Sequence, residues 1–274
     1  TFGRSMLKKG VFILLAVLIL QIPILLVRNL IDGRQELSSE AQQEVSRQMG
    51  GAQVLYAPEL KLPYKQKDVD AKGNTVYSEK VRKINAAEAE INGDVAVEML
   101  HRSIYDIPTY KADFTIGGSF VISDNDYGYY NGTVYLYLPI GDFKGLENSI
   151  TAKVDGKEYA FSLSEDGLRT KLDMDTFVPG QVIEYFISLR TKGAESLRFF
   201  PKSDVFKVNL TSNYSSPGFD GAFLPNDRTV NDEGFKAQWI VNQFNTYGNN
   251  YPEFYVEFVV PVSQYQQTTR AIKY

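Results

Sequence analysis

The chain of 274 residues contains no cysteine, one histidine and one tryptophan. Without cysteine there is no disulfide framework and no thiolate metal site. The same absence suits either a reducing compartment or an exported bacterial protein that does without disulfides. A single histidine, His101 in the strand-like stretch EMLHRSIY, excludes a His/Cys metal cluster and would have to serve alone in any Ser-His-Asp triad. No G-x-S-x-G surrounds a serine, and neither a P-loop nor a G-x-G-x-x-G fingerprint occurs. Excess positive charge is missing as well: a net charge of −4 gives no general attraction to nucleic acid, which is not expected as a partner. Residue chemistry therefore points to no reaction and no cofactor, and the expectation is a protein that is not an enzyme.

One long apolar run is present. GVFILLAVLILQIPILLVR, Gly10 to Arg28, carries no charge before its last residue, and Gln21 is its one polar side chain up to Val27. About 20 helical residues cross a hydrocarbon core roughly 30 Å thick. A secretory signal would have a shorter apolar region and an A-x-A-like cleavage site, whereas Ile24-Leu25-Leu26-Val27-Arg28 follows here. An uncleaved transmembrane helix over 10–28 is expected, kinked at Pro23 in its outer half. Arg4, Lys8 and Lys9 precede it with no acid among the first nine residues, while Arg28 and Arg34 beyond it are offset by Asp32, Glu36 and Glu40. The positive-inside bias places residues 1–9 in the cytoplasm and the rest outside, with Lys8, Lys9 and Arg28 at the membrane interfaces.

Residues 29–50 read as a helical stalk, because Leu37, Ala41, Val45 and Met49 recur every four positions and Gly50-Gly51 then stops the helix. Burial against its own domain is the expected use of that stripe. From Gln53 onward the period changes to two. TVYSEKVRKI (75–84), DVAVEML (94–100), YKADFTI (110–116), TVYLYLPI (133–140), VIEYFISLRTK (182–192), SLRFFP (196–201), VFKVNLTS (205–212) and FYVEFVVPV (254–262) are strand-like, and KVDGKEY is a hairpin turning on Asp155-Gly156. FKAQWIVNQF (235–244) fits either strand or short helix. The fold class expected is mainly β: a transmembrane helix continuing into a stalk, then a large antiparallel β-sandwich-like extracytoplasmic domain over 51–274, with a candidate seam at 139–148.

Carboxylates gather in SDNDYG (123–128) and LDMDT (172–176), but neither run continues into a calcium loop, and turns account for both. The aromatic run DYGYYNGTVYLY (126–137) holds Tyr129 and Tyr130, candidates for stacking on sugars or touching a partner; alternate burial of the same rings is the competing reading. SNYSSPGFDGAFLP supplies Tyr214, Pro217, Phe219, Phe223 and Leu224, whose apolar groups need either the core or a partner surface. At the other end Arg270, Lys273 and Tyr274 combine cations with an aromatic, as where chain re-enters lipid. Arg28 and Tyr274 are therefore expected at similar height on the membrane-facing side.

Three blocks resemble the CreD family of inner-membrane cell-envelope integrity proteins. They are QIPILLVRNLIDGRQ (21–35), LTSNYSSPGFDGAFLPNDR (210–228) with EGFKAQW (233–239), and QYQQTTRAIKY (264–274). The resemblance implies an inner-membrane protein of envelope integrity and stress response, with no catalytic residue to carry over and further membrane helices beyond residue 274. Its expected partners are the lipid bilayer and either a membrane or periplasmic protein or a cell-wall component. Two other functions stay open: an envelope glycan hydrolase acting through a carboxylate pair, and a membrane sensor or regulatory subunit.

Overall fold

The computed structural model describes residues 2–102, 104–147, 150–165, 167–246 and 252–258, without the side chains of residues 2–19, 22, 24, 25 and 35. A single helix, α1 (Phe2–Met49), runs unbroken through the apolar stretch, Pro23 and Gly33. Among the described residues no helix is long and apolar enough to cross a membrane; most side chains of the apolar run are outside them. Helix α1 closes at Gly50, which has φ 97° and donates its N–H to the Ser46 carbonyl, an ordinary left-handed glycine stop.

The remainder is mainly β. The strands are β1 (Gln53–Tyr56), β2 (Glu59–Val69), β3 (Thr75–Arg102) and β4 (Tyr105–Val121), then, after the short helix α2 (Asp124–Tyr127), β5 (Val134–Pro139). They continue with β6 (Thr151–Val154), β7 (Lys157–Ala160), β8 (Ser162–Ser164), β9 (Gly167–Leu172) and β10 (Val182–Ala194). The last are β11 (Ser196–Phe200), β12 (Ser203–Ser212), β13 (Pro217–Gly221), β14 (Asp227–Asn231), β15 (Gly234–Asn242) and β16 (Phe254–Phe258).

The main sheet runs β7-β6-β10-β4-β3-β2-β5-β9-β8, with β12, β15 and β14 added beside β3. Strand β3 joins its two parts: residues 75–85 pair with β2, residues 88–102 with β4, and residues 86–95 with β12. The stretches expected as separate strands at 75–84 and 94–100 are thus one strand. A smaller sheet, β1-β11-β16-β13, faces it, and residues of both sheets share one core around Trp239, Tyr110, Phe114, Phe199 and Phe254.

The expected all-antiparallel pairing needs correction, because β1 pairs with β11 and β12 pairs with β3 in parallel. One cause is a sharp change of sheet at Glu195. This residue alone separates β10 from β11, and its φ of 74° carries the chain from the large sheet into the small one. Side-chain periodicity reports only which face is buried and is blind to strand direction.

The KVDGKEY hairpin forms as expected, with Asp155 at φ 45° and Gly156 at φ 83° in a turn whose twist suits two antiparallel strands. The ambiguous segment at 235–244 resolves as strand β15. Residues 140–147, within the candidate seam, form a short 3-10 turn at Phe143–Gly145, and Leu146 bridges to Thr191. The segments around 103, 148–149, 166, 247–251 and 259–274 lie outside the described residues, and with them Arg270, Lys273, Tyr274 and the height expected of the C-terminal end.

Candidate functional site

Helix α1 ends in a seat on the β domain. Of the stripe at 37, 41, 45 and 49, Val45 is fully buried against Ile107 and Ala194, with Ala41 and Met49 packed around it. Leu37 does not join them and is exposed. Polar groups fix the register: the Ser46 hydroxyl donates to Glu195 Oε1 (2.5 Å), Arg102 Nη2 donates to Gln48 Oε1 (2.9 Å), and the Tyr105 hydroxyl donates to the Arg34 carbonyl (3.0 Å). Glu195 is thus both the residue that turns the chain between sheets and the acceptor that holds the helix end.

The aromatic block following β12 divides. Tyr214 is buried, its ring edge-on to Phe258, and burial raises the pKa of its hydroxyl. Phe219 meets Phe235 and Trp239 at 5.6 Å each, and Phe223 meets Phe254 at 6.2 Å, while the Trp239 indole N–H donates to the Phe223 carbonyl. Pro217 is half-buried in β13, and Leu224 is exposed. Most of this block therefore closes one end of the core, leaving Leu224 as its outward apolar side chain. The Tyr130 ring stacks on Phe177, and Tyr129 lies against Tyr64 with the Arg82 guanidinium 5.6 Å from its ring. Arg28 lies on an exposed part of α1; Lys8 and Lys9 lie within the helix, where side chains are not described.

Several acidic groups are bound. Asp126, in the SDNDYG run, is buried, bonds Arg82 Nε at 2.7 Å and accepts from the Ser123 hydroxyl, so this run is a capped helical turn. Buried Glu59 is paired with Lys202. Asp175 of the other run holds the exposed Lys157, whose pKa the hydrogen bond raises. His101 sits near the end of β3 with its ring nitrogen 2.8 Å from Asp106, both exposed. Among the described residues no three His, Asp or Glu side chains gather as a metal cage.

A concave outer face of the main sheet was not foreseen from the sequence. It carries a groove of about 280 Å³ over Glu88, Glu90, Asn92, Gly117, Phe186 and Lys207, and a second of about 370 Å³ over Asp113, Ser188 and Arg190; Thr115 lines both. The signal available was the outward set of alternate positions on β3, β4, β10 and β12, which strand register alone brings together.

A mainly β domain with the end of a 48-residue helix seated in its side defines a helix-tethered β-domain protein. The chain belongs to the CreD family of inner membrane proteins, whose sequence profile matches residues 5–274. It is similar to inner membrane protein CreD of Escherichia coli (strain K12), 26% identical over 283 residues, covering 94% of this chain and 63% of that protein. The chain thus spans 63% of that relative's length. Among solved structures it is similar to a mutant M1 zinc metallopeptidase from Deinococcus radiodurans, with TM-score 0.36, 9% identity, and coverage of 64% of this chain and 42% of that one. The M1 zinc metallopeptidase from the same organism gives TM-score 0.31 and 8% identity over the same shares.

Proposed function

We propose that α1 crosses the inner membrane over residues 10–28 with residues 1–9 in the cytoplasm. It holds residues 51–274 in the periplasm as a non-catalytic domain that binds a partner protein or an envelope component. The observation carrying this reading is the seat of α1. An uninterrupted helix containing an 18-residue apolar run ends in a packed and hydrogen-bonded joint with the β domain. A helix joined in this way sets the domain's position relative to the anchor. The role that follows is presentation of a binding face at a fixed place above the membrane, in line with a part in envelope integrity.

The hydrolase alternative needs two carboxylates about 5 to 10 Å apart across a cleft. Among the described residues the two buried acids, Glu59 and Asp126, are each committed to a cation, which favours a structural role for both. The sensor alternative draws on the same seat, since a fixed joint also transmits force, but it needs an output element on the cytoplasmic side. Purified chain in detergent, mixed with cell-wall sacculi and sedimented, tests the reading. Retention on the sacculi without release of soluble fragments, or a thermal shift with a purified envelope protein, supports it. Sustained release of sugar or peptide fragments contradicts the non-catalytic part.

A further inference from the structure

The outer face of β10, β4, β3, β12 and β15 is laid out in rows by register. In one row Phe186 lies beside Gly117, Gly117 beside Glu90, Glu90 beside Lys207 and Lys207 beside Ile240. In the next, Ser188, Thr115, Asn92, Asn209 and Gln238 follow one another across the same five strands. The following row on β10 and β4 is the Arg190–Asp113 ion pair at 2.5 Å. The two grooves meet at Thr115 and form one trough. From Phe186 to Arg190 it follows the strands for roughly 14 Å, at about 3.4 Å per residue.

Asn92 lines this trough, and Asn209 and Gln238 continue its row onto β12 and β15 beside it, where their side chains are held ready. Asn209 Nδ2 donates to Glu90 Oε1 (3.0 Å) and to Asn92 Oδ1 (2.8 Å), and Gln238 Nε2 donates to Asn209 Oδ1 (2.8 Å). The ends of this ladder, the Asn92 side-chain Nδ2 and the Gln238 side-chain Oε1, have no hydrogen-bond partner among the described residues. Phe186 lines the same groove as Asn92 from two strands away and is about half-exposed, an apolar ring edging a polar trough.

Gly117 is the second, independent observation. Its neighbour Gly118 is required by packing, since a Cβ there would lie 1.9 Å from the Glu88 carbonyl. At Gly117 a Cβ would meet only the Phe186 ring at 3.7 Å and the Tyr185 carbonyl at 3.8 Å, both ordinary contacts. Glycine weakens a strand interior and marks places where a ligand approaches the backbone closely. Packing gives no reason for it here, and an open trough floor does.

We propose that this trough binds a neutral glycan strand, with sugar hydroxyl and acetamido groups on the Asn92–Asn209–Gln238 ladder and a sugar ring face on Phe186. The proposal rests on the reading of the domain as an envelope-binding module and names its ligand. Charge selects the class: Glu88 and Glu90 oppose a polyanion, and Lys207 and Arg190 oppose a polycation. A neutral chain rich in hydroxyls and amides suits what remains, and a flat aromatic ring offers an apolar face at low entropic cost.

The test titrates the whole chain in detergent with N-acetylglucosamine tetramer by calorimetry, beside an extended Gly-Ser-Thr hexapeptide. Unmodified chain should bind the tetramer and not the peptide. Phe186→Ala and Asn92→Ala should each weaken binding at least about fivefold. Gly117→Val should weaken it at least tenfold, at about 1.4 kcal/mol per tenfold, while its Trp239 fluorescence melt stays at or above that of the parent. If Gly117→Val fails to fold, the other two variants decide. No binding of the tetramer, binding unchanged in the variants, or the same losses for the peptide in place of the sugar would each overturn the proposal. Sacculus retention undiminished in the three variants overturns this trough alone, whereas sacculi ignored by the parent chain and by every variant count against the broader reading.

Discussion

Truncating Val45 tests whether the seat of α1 is an independent joint. Val45→Ala removes two methyl groups from a fully buried site between Ile107 and Ala194. At about 0.8 kcal/mol per buried carbon the transfer loss is roughly 1.6 kcal/mol, and incomplete closing of the void adds to it. Alanine's better helix propensity returns roughly 0.5 kcal/mol. The net cost of about 1 to 2 kcal/mol raises the population of the undocked helix end by about 5- to 30-fold. Trypsin cleavage after the exposed Arg47 reads this population when opening and closing are fast relative to cleavage. Leu37→Ala, at an exposed position of the same stripe, is the control. The expected result is faster cleavage after Arg47 in Val45→Ala alone, with the global melt followed by Trp239 unmoved. Unchanged cleavage, or a global melt lowered by the full cost, would refute the idea of a local joint.

Other outcomes follow from the core and its ionisable groups. The buried Tyr110 hydroxyl donates to the Ser196 carbonyl (2.9 Å) and accepts from the Gln53 N–H (3.2 Å), so Tyr110→Phe should cost about 1 to 3 kcal/mol in urea unfolding. Burial holds the Tyr110 pKa above its ordinary 10.0. Its contribution is therefore complete below pH 10 and lost as pH rises beyond that, and Tyr110→Phe should flatten the alkaline fall in a pH series of melts. Lys202→Met strands the buried Glu59 carboxylate and should cost about 3 kcal/mol, with Glu59→Leu in the same chain recovering most of it. Asp70 accepts from the Asn74 backbone and side chain and from the Lys72 backbone, which lowers its pKa below 3.8. The β2–β3 turn should stay ordered above pH 3.8 and loosen as pH falls through the lower folded value, seen in the Lys72 and Asn74 amide resonances.

The parts of the fold legible in the sequence were those whose cause is local. Strand β10 alternates buried and exposed along VIEYFISLRTK, and Asp155-Gly156 dictates its hairpin. Strand β2 carries no strand signal in the sequence because ELKLPYKQKDV is polar and contains Pro63. A proline is tolerated there because β5 pairs with β2 only at residues 59–61, leaving that edge free beyond them. The middle of β3, NAAEAEING, carries alanine and glutamate with little strand preference, yet its small side chains suit a strand pairing with neighbours on both sides. Of the candidate site, local aromatic density was visible at 129–130 and 214–224, but whether a ring turns inward depends on distant partners such as Phe177 and Phe254. The trough was invisible for the same reason: Glu90, Gly117, Phe186 and Lys207 become neighbours only through register.

The orientation of the tethered domain is the central claim, and the missing cysteines make it directly measurable. Two single-cysteine chains, Ser5→Cys ahead of the apolar run and Lys72→Cys in the exposed β2–β3 turn, are expressed in bacteria and treated as spheroplasts with a membrane-impermeant maleimide. With residues 1–9 in the cytoplasm and the β domain in the periplasm, Lys72→Cys should be labelled on intact spheroplasts and Ser5→Cys only after lysis. Labelling of Ser5→Cys on intact spheroplasts, or protection of Lys72→Cys until lysis, would contradict it.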